Sequence, residues 1–310
     1  MSQKNLIVIV GPTAIGKTAL AIQLANYYGT EIISADSRQF YREMEVGTAK
    51  PSIAELKSVK HHFINSHSIQ DNFTVGDFEK EAIEIIEKLF DDHEQVILVG
   101  GSGLFIQSIC NGFDELPKAS DKIRNELNEQ LVQKGIEYLQ QKLKEVDPAY
   151  FAEVDICNPQ RLIRALEVYE STGKPFSAYR SGVSKKRPFN MVKIGLNTER
   201  SKLYSRINSR VDQMILDGLM EEVENLKSFR RFNALNTVGY LEILNYFDGV
   251  YSREEAIEKI KQNSRRFAKR QITWFKKSDD LVWFEPDEFE KIITYIISVH
   301  SHPEHEARKN

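Results

Sequence analysis

The stretch Gly11-Pro12-Thr13-Ala14-Ile15-Gly16-Lys17-Thr18 fits G-x-x-x-x-G-K-[ST] at every fixed position. Its glycines let the backbone turn and approach a ligand closely. The amides of residues 13–18 would then face phosphate oxygens at the positive end of a helix. Lys17 would neutralise terminal phosphate charge, and Thr18 would offer a hydroxyl to Mg²⁺. The motif leaves the phosphate compound open. An NTP-hydrolysing enzyme adds an acid at the end of a hydrophobic strand to hold Mg²⁺, yet the strand-like "QVILVGGSG" (95–103) ends in glycines and a serine. The other nearby strand end, "IISADSRQFY" (32–41), carries Asp36, flanked by Ser34 and Ser37. It falls at the carboxyl edge of the sheet, where open α/β sheets bind ligands. There Asp36 is open to three readings: metal ligand, structural cap or general base.

Basic residues form a second set. Residues 259–277, "KIKQNSRRFAKRQITWFKK", contain eight lysines and arginines and no acid. Helical spacing puts Lys261, Arg265, Arg266 and Lys269 on one face, with Ile260, Phe267, Ile272 and Phe275 as apolar anchors. That pattern is open to a solvated helix face or to contact with a phosphate backbone. Arg206 and Arg210, four apart in "LYSRINSRVDQM", suit a diphosphate held by fork-shaped donors, or ion pairs with Asp212 or Glu221. Arg161 and Arg164 share a face in "QRLIRAL", and "SKKRP" (184–188) adds more positive charge.

The elements that must carry these residues are legible. "NLIVIV" (5–10), "EIISA" (31–35), "QVILVGG" (95–101), "MVKIGL" (191–196) and "LVWFEP" (281–286) are near-continuous apolar runs, as in a parallel sheet covered on both faces. Helical patterns lie between them. In residues 17–28, Ala19, Ile22, Leu24 and Ala25 are expected inward; in 76–90, Phe78, Ala82, Ile85, Ile86 and Leu89. The fold class is α/β: a P-loop-type parallel sheet flanked by helices, with a mainly helical insertion. No strand pattern occurs from about 111 to 188. There a helix starts at the cap Ser120 and runs through "SDKIRNELNEQLVQKGIEYLQQKL", a short helix follows in "VDPAYFAEVD", and a third ends at Gly173. The stretch "YRSGVSKKRPFN" reads as polar and flexible. The expected division is a core of 1–112 and 190–300 with added C-terminal helices, an insertion at 113–189, and a polar tail at 301–310.

The chain has 310 residues, 41% hydrophobic and 28% charged, with net charge −3. These are ordinary values for a soluble protein, and the charge predicts no overall attraction to nucleic acid, only a local one. Cys110 and Cys157 form no CxxC pair, which argues against a zinc ribbon and for reduced thiols in the cytosol. No signal peptide and no membrane span is expected.

The chain resembles the bacterial tRNA dimethylallyltransferases. The resemblance runs from about Leu6 to Trp283 and rests on separate blocks in order: "GPTAIGKT", "IISADSRQFYREMEVGTAKP", "HHFI", "VGGSGLF", "NPQRLIRALEVYESTGKP", "RINSRVDQM", "TVGY" and "AKRQITWF". It implies transfer of a dimethylallyl group from its diphosphate to N6 of adenine 37, beside the anticodon, in tRNAs reading codons that begin with U. It also implies roles. Gly11, Thr13, Ala14, Ile15, Gly16, Lys17, Thr18 and Arg210 would hold the diphosphate, with Thr18 on Mg²⁺. Asp36 would be the general base on the N6 amine, and Ser102 a catalytic partner near the diphosphate; both would also touch the tRNA substrate. Ser37, Arg38, Gln39, Arg124, Gln160, Arg161, Leu162, Ile163 and Arg164 would meet the tRNA anticodon stem-loop, joined by Arg265, Arg266 and Lys269 of the basic stripe. A channel between core and insertion would bring donor and base together. The implied partners are the stem-loop and dimethylallyl diphosphate, the implied state a cytoplasmic monomer with no membrane attachment. Two positions depart from the family pattern: Ser102 stands where threonine is frequent, and "GYLE" (239–242) where "GYRQ" is.

Overall fold

A computed structural model of the chain describes residues 4–301, apart from 115, 118, 119 and 181. Most of the expected polar tail (302–310) and Ser181 of the polar stretch lie outside the described residues.

The chain opens with β1 (Asn5–Val10), the glycine-rich loop, α1 (Lys17–Tyr28), β2 (Ile32–Ser34), α2 (Ile53–Ser58), β3 (His61–His62), α3 (Val75–Asp92), β4 (Gln95–Gly100) and α4 (Gly103–Asn111). Four helices follow: α5 (Asp121–Lys134), α6 (Ile136–Val146), α7 (Pro148–Glu153) and α8 (Pro159–Thr172). The chain then forms β5 (Asn190–Leu196), α9 (Arg200–Leu216), α10 (Leu219–Asn225), α11 (Tyr240–Phe247), α12 (Arg253–Phe275), β6 (Val282–Phe284) and α13 (Phe289–Ser301).

All six strands are parallel, in the order β3-β2-β4-β1-β5-β6. β1 is buried along its whole length. Its even residues, Leu6, Val8 and Val10, pack against α3 and α4, and its odd residues, Ile7 and Ile9, against α1, α9 and α13. Helices on both faces explain why the strands read as unbroken apolar runs. β3 was not expected; its two histidines pair with Ile32 and Ile33, too short a segment to leave a pattern.

Two inward sets need correction. In α1, Ala19 is exposed and Ile22 half-buried; Leu20, Ala21, Leu24 and Ala25 are buried. The face that carries Lys17 over the sheet edge carries positions three, four, seven and eight further on, and Ala19 is off it. In α3, Phe78, Ala82 and Ile86 are buried as read, Ile85 and Leu89 are half-buried, and Phe90 takes the last core position.

The chain divides into two compact units, residues 112–186 and the remainder. The smaller unit contains no strand among its described residues. Its long helical stretch is two helices rather than one, because Gly135 (φ 79°) breaks it between α5 and α6. Ser120 caps α5 through the Ile123 amide, and Asn158 caps α8 through the Gln160 and Arg161 amides. Leu127, Leu139, Leu143, Leu162, Ile163 and Leu166 make its own core.

The larger unit has a further core beside the sheet, where Tyr41 and Met44 pack with Leu219, Val223, Tyr240, Ile243 and Ile260. This cluster matters because the loop after β2 runs through it.

Candidate active site

The glycine-rich loop lies between β1 and α1, with Ala14 (φ 62°) and Gly16 (φ 107°) in left-handed backbone. Lys17 Nζ donates to the Pro12 carbonyl at 2.8 Å, and Arg206 Nη1 donates to the Ile15 carbonyl at 3.3 Å. The Ile15 side chain is in the core, so only its backbone faces a ligand. One expectation is corrected. The Thr13 amide is not directed to a ligand but donates to Gln271 Oε1 at 2.8 Å. A buried carboxamide from α12 is the stronger partner for it than bulk water.

Above the loop, three charges act on one another. Burial pulls the Lys17 ammonium down to about 8; the Asp36 carboxylate opposes the fall and Arg210 adds to it. Burial likewise lowers Arg210, again opposed by Asp36. Among the described residues neither cation has a carboxylate within 4.0 Å. So α9 separates the arginine pair: Arg206 braces the loop, and Arg210, one turn on, is a half-buried cation with no ion-pair partner within 4.0 Å among the described residues. Neither pairs with Asp212, which instead meets Lys261 at 2.7 Å. Partly desolvated cations without an ion pair at a helix N-terminus are a site for a polyanion.

Asp36 sits just past β2. Its Oδ1 accepts the Arg38 amide at 3.1 Å, so the capping reading holds for one oxygen; Oδ2 has no hydrogen bond from a described residue. Ser102, at the start of α4, reaches the same loop: its hydroxyl accepts the Ser37 amide and donates to the Ser37 hydroxyl, both at 3.1 Å. Gln39 is engaged within the loop, donating to the Thr48 and Ala49 carbonyls and accepting from Ser34. Arg38 donates to the Asn233 and Asn236 carbonyls. The loop is therefore held from both sides. From the other side, Glu222 accepts three consecutive amides, Glu45, Val46 and Gly47, at 2.7–3.0 Å, and the Tyr240 hydroxyl at 2.5 Å. Tyr240 fills the space a side chain at Gly47 would need: a Cβ there would lie 2.5 Å from its ring.

A cavity of about 350 Å³ begins at Gly103, the residue after Ser102. Val8, Val10, Ile106, Cys110, Trp274 and Phe275 give it apolar walls, and Lys193 and Lys277 add charge to its lining. Burial pushes the Cys110 thiol up to about 11, so it is a neutral wall and not a nucleophile.

The other expected contact residues divide by what they already touch. Arg124 meets the buried Glu167 through both carboxylate oxygens (3.0 and 2.9 Å), and Arg164 lies 3.6 Å from the same group. Gln160 and Arg161 are exposed at the start of α8. Leu162 and Ile163 are corrected: both are fully buried in the core of the smaller unit, so their side chains cannot meet RNA. On α12, Arg265 is tied to Asn208 at 2.6 Å, while Arg266 and Lys269 are exposed. Lys261 belongs to Asp212 and Glu258 and leaves the basic face. Phe267 is no anchor; it is exposed beneath the Arg270 guanidinium, and Ala268 takes the inward position. The exposed face thus alternates Arg266, Phe267, Arg270, Trp274 and Lys277. In "GYLE", Glu242 is buried, accepting the Gly239 amide and an Asn263 amide hydrogen, both at 2.7 Å.

Three residues that shape the site, Gln271, Glu222 and Tyr240, had no role in the sequence reading. Gln271 and Tyr240 stand inside recognised blocks, "AKRQITWF" and "TVGY", and that position was the available signal. Among the described residues no group of three or more His, Cys, Asp or Glu side chains could hold a metal, and no helix is long and apolar enough to cross a membrane.

Comparison with known proteins gives the following likenesses. The family model described as "IPP transferase" matches residues 39–278. A tRNA dimethylallyltransferase from Christiangramia forsetii is 52% identical over 294 residues, covering 94% of this chain and 97% of the relative. One from Flavobacterium johnsoniae is 49% identical over 301 residues, covering 95% and 97%. Among solved structures, the full-length tRNA isopentenylpyrophosphate transferase of Bacillus halodurans superposes with a TM-score of 0.72 at 36% identity, covering 98% of this chain and 100% of that one. A eukaryotic dimethylallyltransferase acting on tRNA shares the fold, with a TM-score of 0.78 at 24% identity over 99% of this chain and 81% of its own.

Proposed function

The chain belongs to the IPP transferase family, and from that premise we infer that it transfers a dimethylallyl group from dimethylallyl diphosphate to N6 of adenine 37 in tRNAs reading codons that begin with U, giving N6-dimethylallyladenosine and diphosphate. The observation that carries this reading is the cluster of Lys17 and Arg210, half-buried and without an ion-pair partner among the described residues, near the Asp36 carboxylate. A polyanionic leaving group answers the first two, and a proton-bearing nucleophile answers the third.

The diphosphate lies over residues 14–18, held by amides, Lys17 and Arg210. As the C–O bond breaks, negative charge grows on the diphosphate, and these fixed donors stabilise it. The adenine amine is conjugated and weakly nucleophilic. Asp36 accepts its proton as the new N–C bond forms, with Oδ2 free to do so and Oδ1 held by the Arg38 amide. Ser102 sets the height of the Asp36 loop through Ser37. The target base leaves the anticodon loop's stack to reach this group.

Mg²⁺ fits this donor set. The protein offers the Thr18 hydroxyl and no three-ligand cluster among its described residues. That suits an ion that takes most of its ligands from diphosphate oxygens and water. When bound, Mg²⁺ supplies further positive charge to the leaving group.

Exposed Arg161, Gln160, Arg266 and Lys269 are assigned to the stem-loop, with Arg124 and Arg164 contributing from their positions on Glu167. The protein acts as a cytoplasmic monomer. The test supplies labelled dimethylallyl diphosphate and anticodon stem-loops with and without adenine at the target position. Label should enter only the first. Equal labelling of both, or hydrolysis of ATP with no prenylated product, sinks the reading.

A further inference from the structure

Gln271 joins two loops that the reaction needs at a fixed separation. Its Oε1 accepts the Thr13 amide at 2.8 Å, and its Nε2 donates to the Gly101 carbonyl at 2.9 Å. Thr13 belongs to the loop after β1. Gly101 precedes Ser102, which holds Ser37 beside Asp36. One buried side chain, 6% exposed, therefore spans the path from the diphosphate loop to the carboxylate.

The chemistry restricts what can stand there. The Thr13 N–H can only donate and the Gly101 carbonyl can only accept, so the partner must accept and donate on one planar fork. Those two backbone groups also fix the amide's orientation. Methionine matches the length and offers neither function. Glutamate keeps the acceptor for Thr13, but sets an oxygen against the Gly101 carbonyl. It also brings a negative charge toward Lys17, whose Nζ lies 3.6 Å from where a Gly101 Cβ would be. Gly101 is matched to its partner: a Cβ there would lie 2.4 Å from Gln271 Nε2.

We propose that Gln271 is a positioning residue for prenyl transfer, setting the distance between the diphosphate loop and the Asp36 loop and holding the Thr13 amide out of the diphosphate cradle. This rests on the function proposed above. It predicts a particular kinetic signature. Loss of the strap displaces donor carbon from acceptor nitrogen without removing a diphosphate ligand, so kcat falls while diphosphate affinity is kept.

The experiment compares parent, Gln271→Met, Gln271→Glu and Gly101→Ala full-length proteins. Single-turnover rates are measured with dimethylallyl diphosphate and a stem-loop RNA, and inorganic diphosphate binding by calorimetry. Gln271→Met should lose about 10- to 100-fold in the chemical step and keep diphosphate affinity within about threefold. Gln271→Glu should lose diphosphate affinity as well, because its charge competes for Lys17. Gly101→Ala disturbs the same contact from the other side and should repeat the methionine signature; it decides the matter if Gln271→Met does not fold. A chemical step within twofold of parent in the folded variants overturns the proposal, as does a loss of diphosphate affinity that accounts for the whole rate defect. A parent protein that makes no prenylated RNA overturns the functional reading and this proposal with it, a result distinct from the first two.

Discussion

Arg124 and Arg164 of the smaller unit and Lys17 and Arg210 of the larger one are basic residues used in opposite ways. In the smaller one, Arg124 and Arg164 converge on Glu167, a carboxylate only 3% exposed at its side chain. In the larger, Lys17 and Arg210 are half-buried, near Asp36 but with no carboxylate within 4.0 Å among the described residues. A paired buried carboxylate is compensated, and removing its partner destabilises the fold. An unpaired, partly desolvated cation raises the energy of the ligand-free protein until an anion arrives. The same residue type therefore means structure at Arg124 and binding at Arg210; in the larger unit Arg187, 2.9 Å from Glu79, is structural too. The deciding feature is the counter-charge, not the arginine.

The strongest break of that comparison is at its only nearby negative group. Asp36→Ala and Asp36→Asn should both lower the chemical step by about 10³-fold, with stem-loop affinity kept. Asparagine keeps an acceptor for the Arg38 amide, so it separates proton transfer from capping. If Asp36→Asn retains near-parent turnover, Asp36 only shapes the loop.

Next in size is Arg210→Met, expected to lower kcat/KM for the donor by about 10²- to 10³-fold. It should leave the donor-free protein as stable as the parent or more so, because it removes a partly desolvated charge that has no ion-pair partner among the described residues. Arg206→Ala should cost less catalytically and some stability, since it removes the brace on the Ile15 carbonyl. The reverse ranking would mean that the arginine pair acts as one clamp.

What could be read in advance follows from the range of each interaction. The five apolar strands, the loop motif, the cap at Ser120 and the stop at Gly173 are local signals, each within a few residues, and the structure has them all, though β2 and β6 are only three residues long. The two-residue β3 carries no period to detect. Leu162 and Ile163 were assigned to RNA because they lie inside a recognised run, but a helix run alternates inward and outward, and only Arg161 and Gln160 point out. The contacts that set the site join distant segments: 258 positions separate Thr13 from Gln271, and 175 separate Gly47 from Glu222. No periodicity reports such pairs. "VGTAKP" and "TVGY" were recognised as separate blocks, and one packing event accounts for both: Tyr240 against Gly47, with Glu222 below.

A smaller effect is a pH dependence of stability. The folded protein binds the Lys17 proton less tightly than the unfolded chain does. From about 8 to the ordinary lysine value of 10.5 the unfolded state therefore holds more protons, and stability rises with pH across that window. The contribution is at most about 3 kcal/mol. Lys17→Met should flatten that part of the profile, and saturating inorganic diphosphate should flatten it too, because the anion supplies the missing counter-charge. Unfolding midpoints from pH 7.5 to 10.5 for both proteins, with and without diphosphate, measure it. A parent profile that matches Lys17→Met would place the ammonium in water.

The smallest expected effects test the comparison from the other unit. Arg161 is exposed at the start of α8 with no carboxylate partner among the described residues, whereas Arg124 on α5 meets the buried Glu167. Arg161→Ala should leave the thermal midpoint unchanged, weaken stem-loop binding a few-fold, and lower the salt dependence of that binding by about one counter-ion. Arg124→Ala leaves Glu167 with only the 3.6 Å contact to Arg164. It should cost about 1–2 kcal/mol of stability, the smaller end of a buried pair because Arg124 is itself half-exposed. Its effect on RNA then comes with a stability loss that Arg161→Ala lacks. If Arg124→Ala instead weakens RNA binding at full stability, paired arginines bind anions as readily as unpaired ones, and the counter-charge rule fails in this unit.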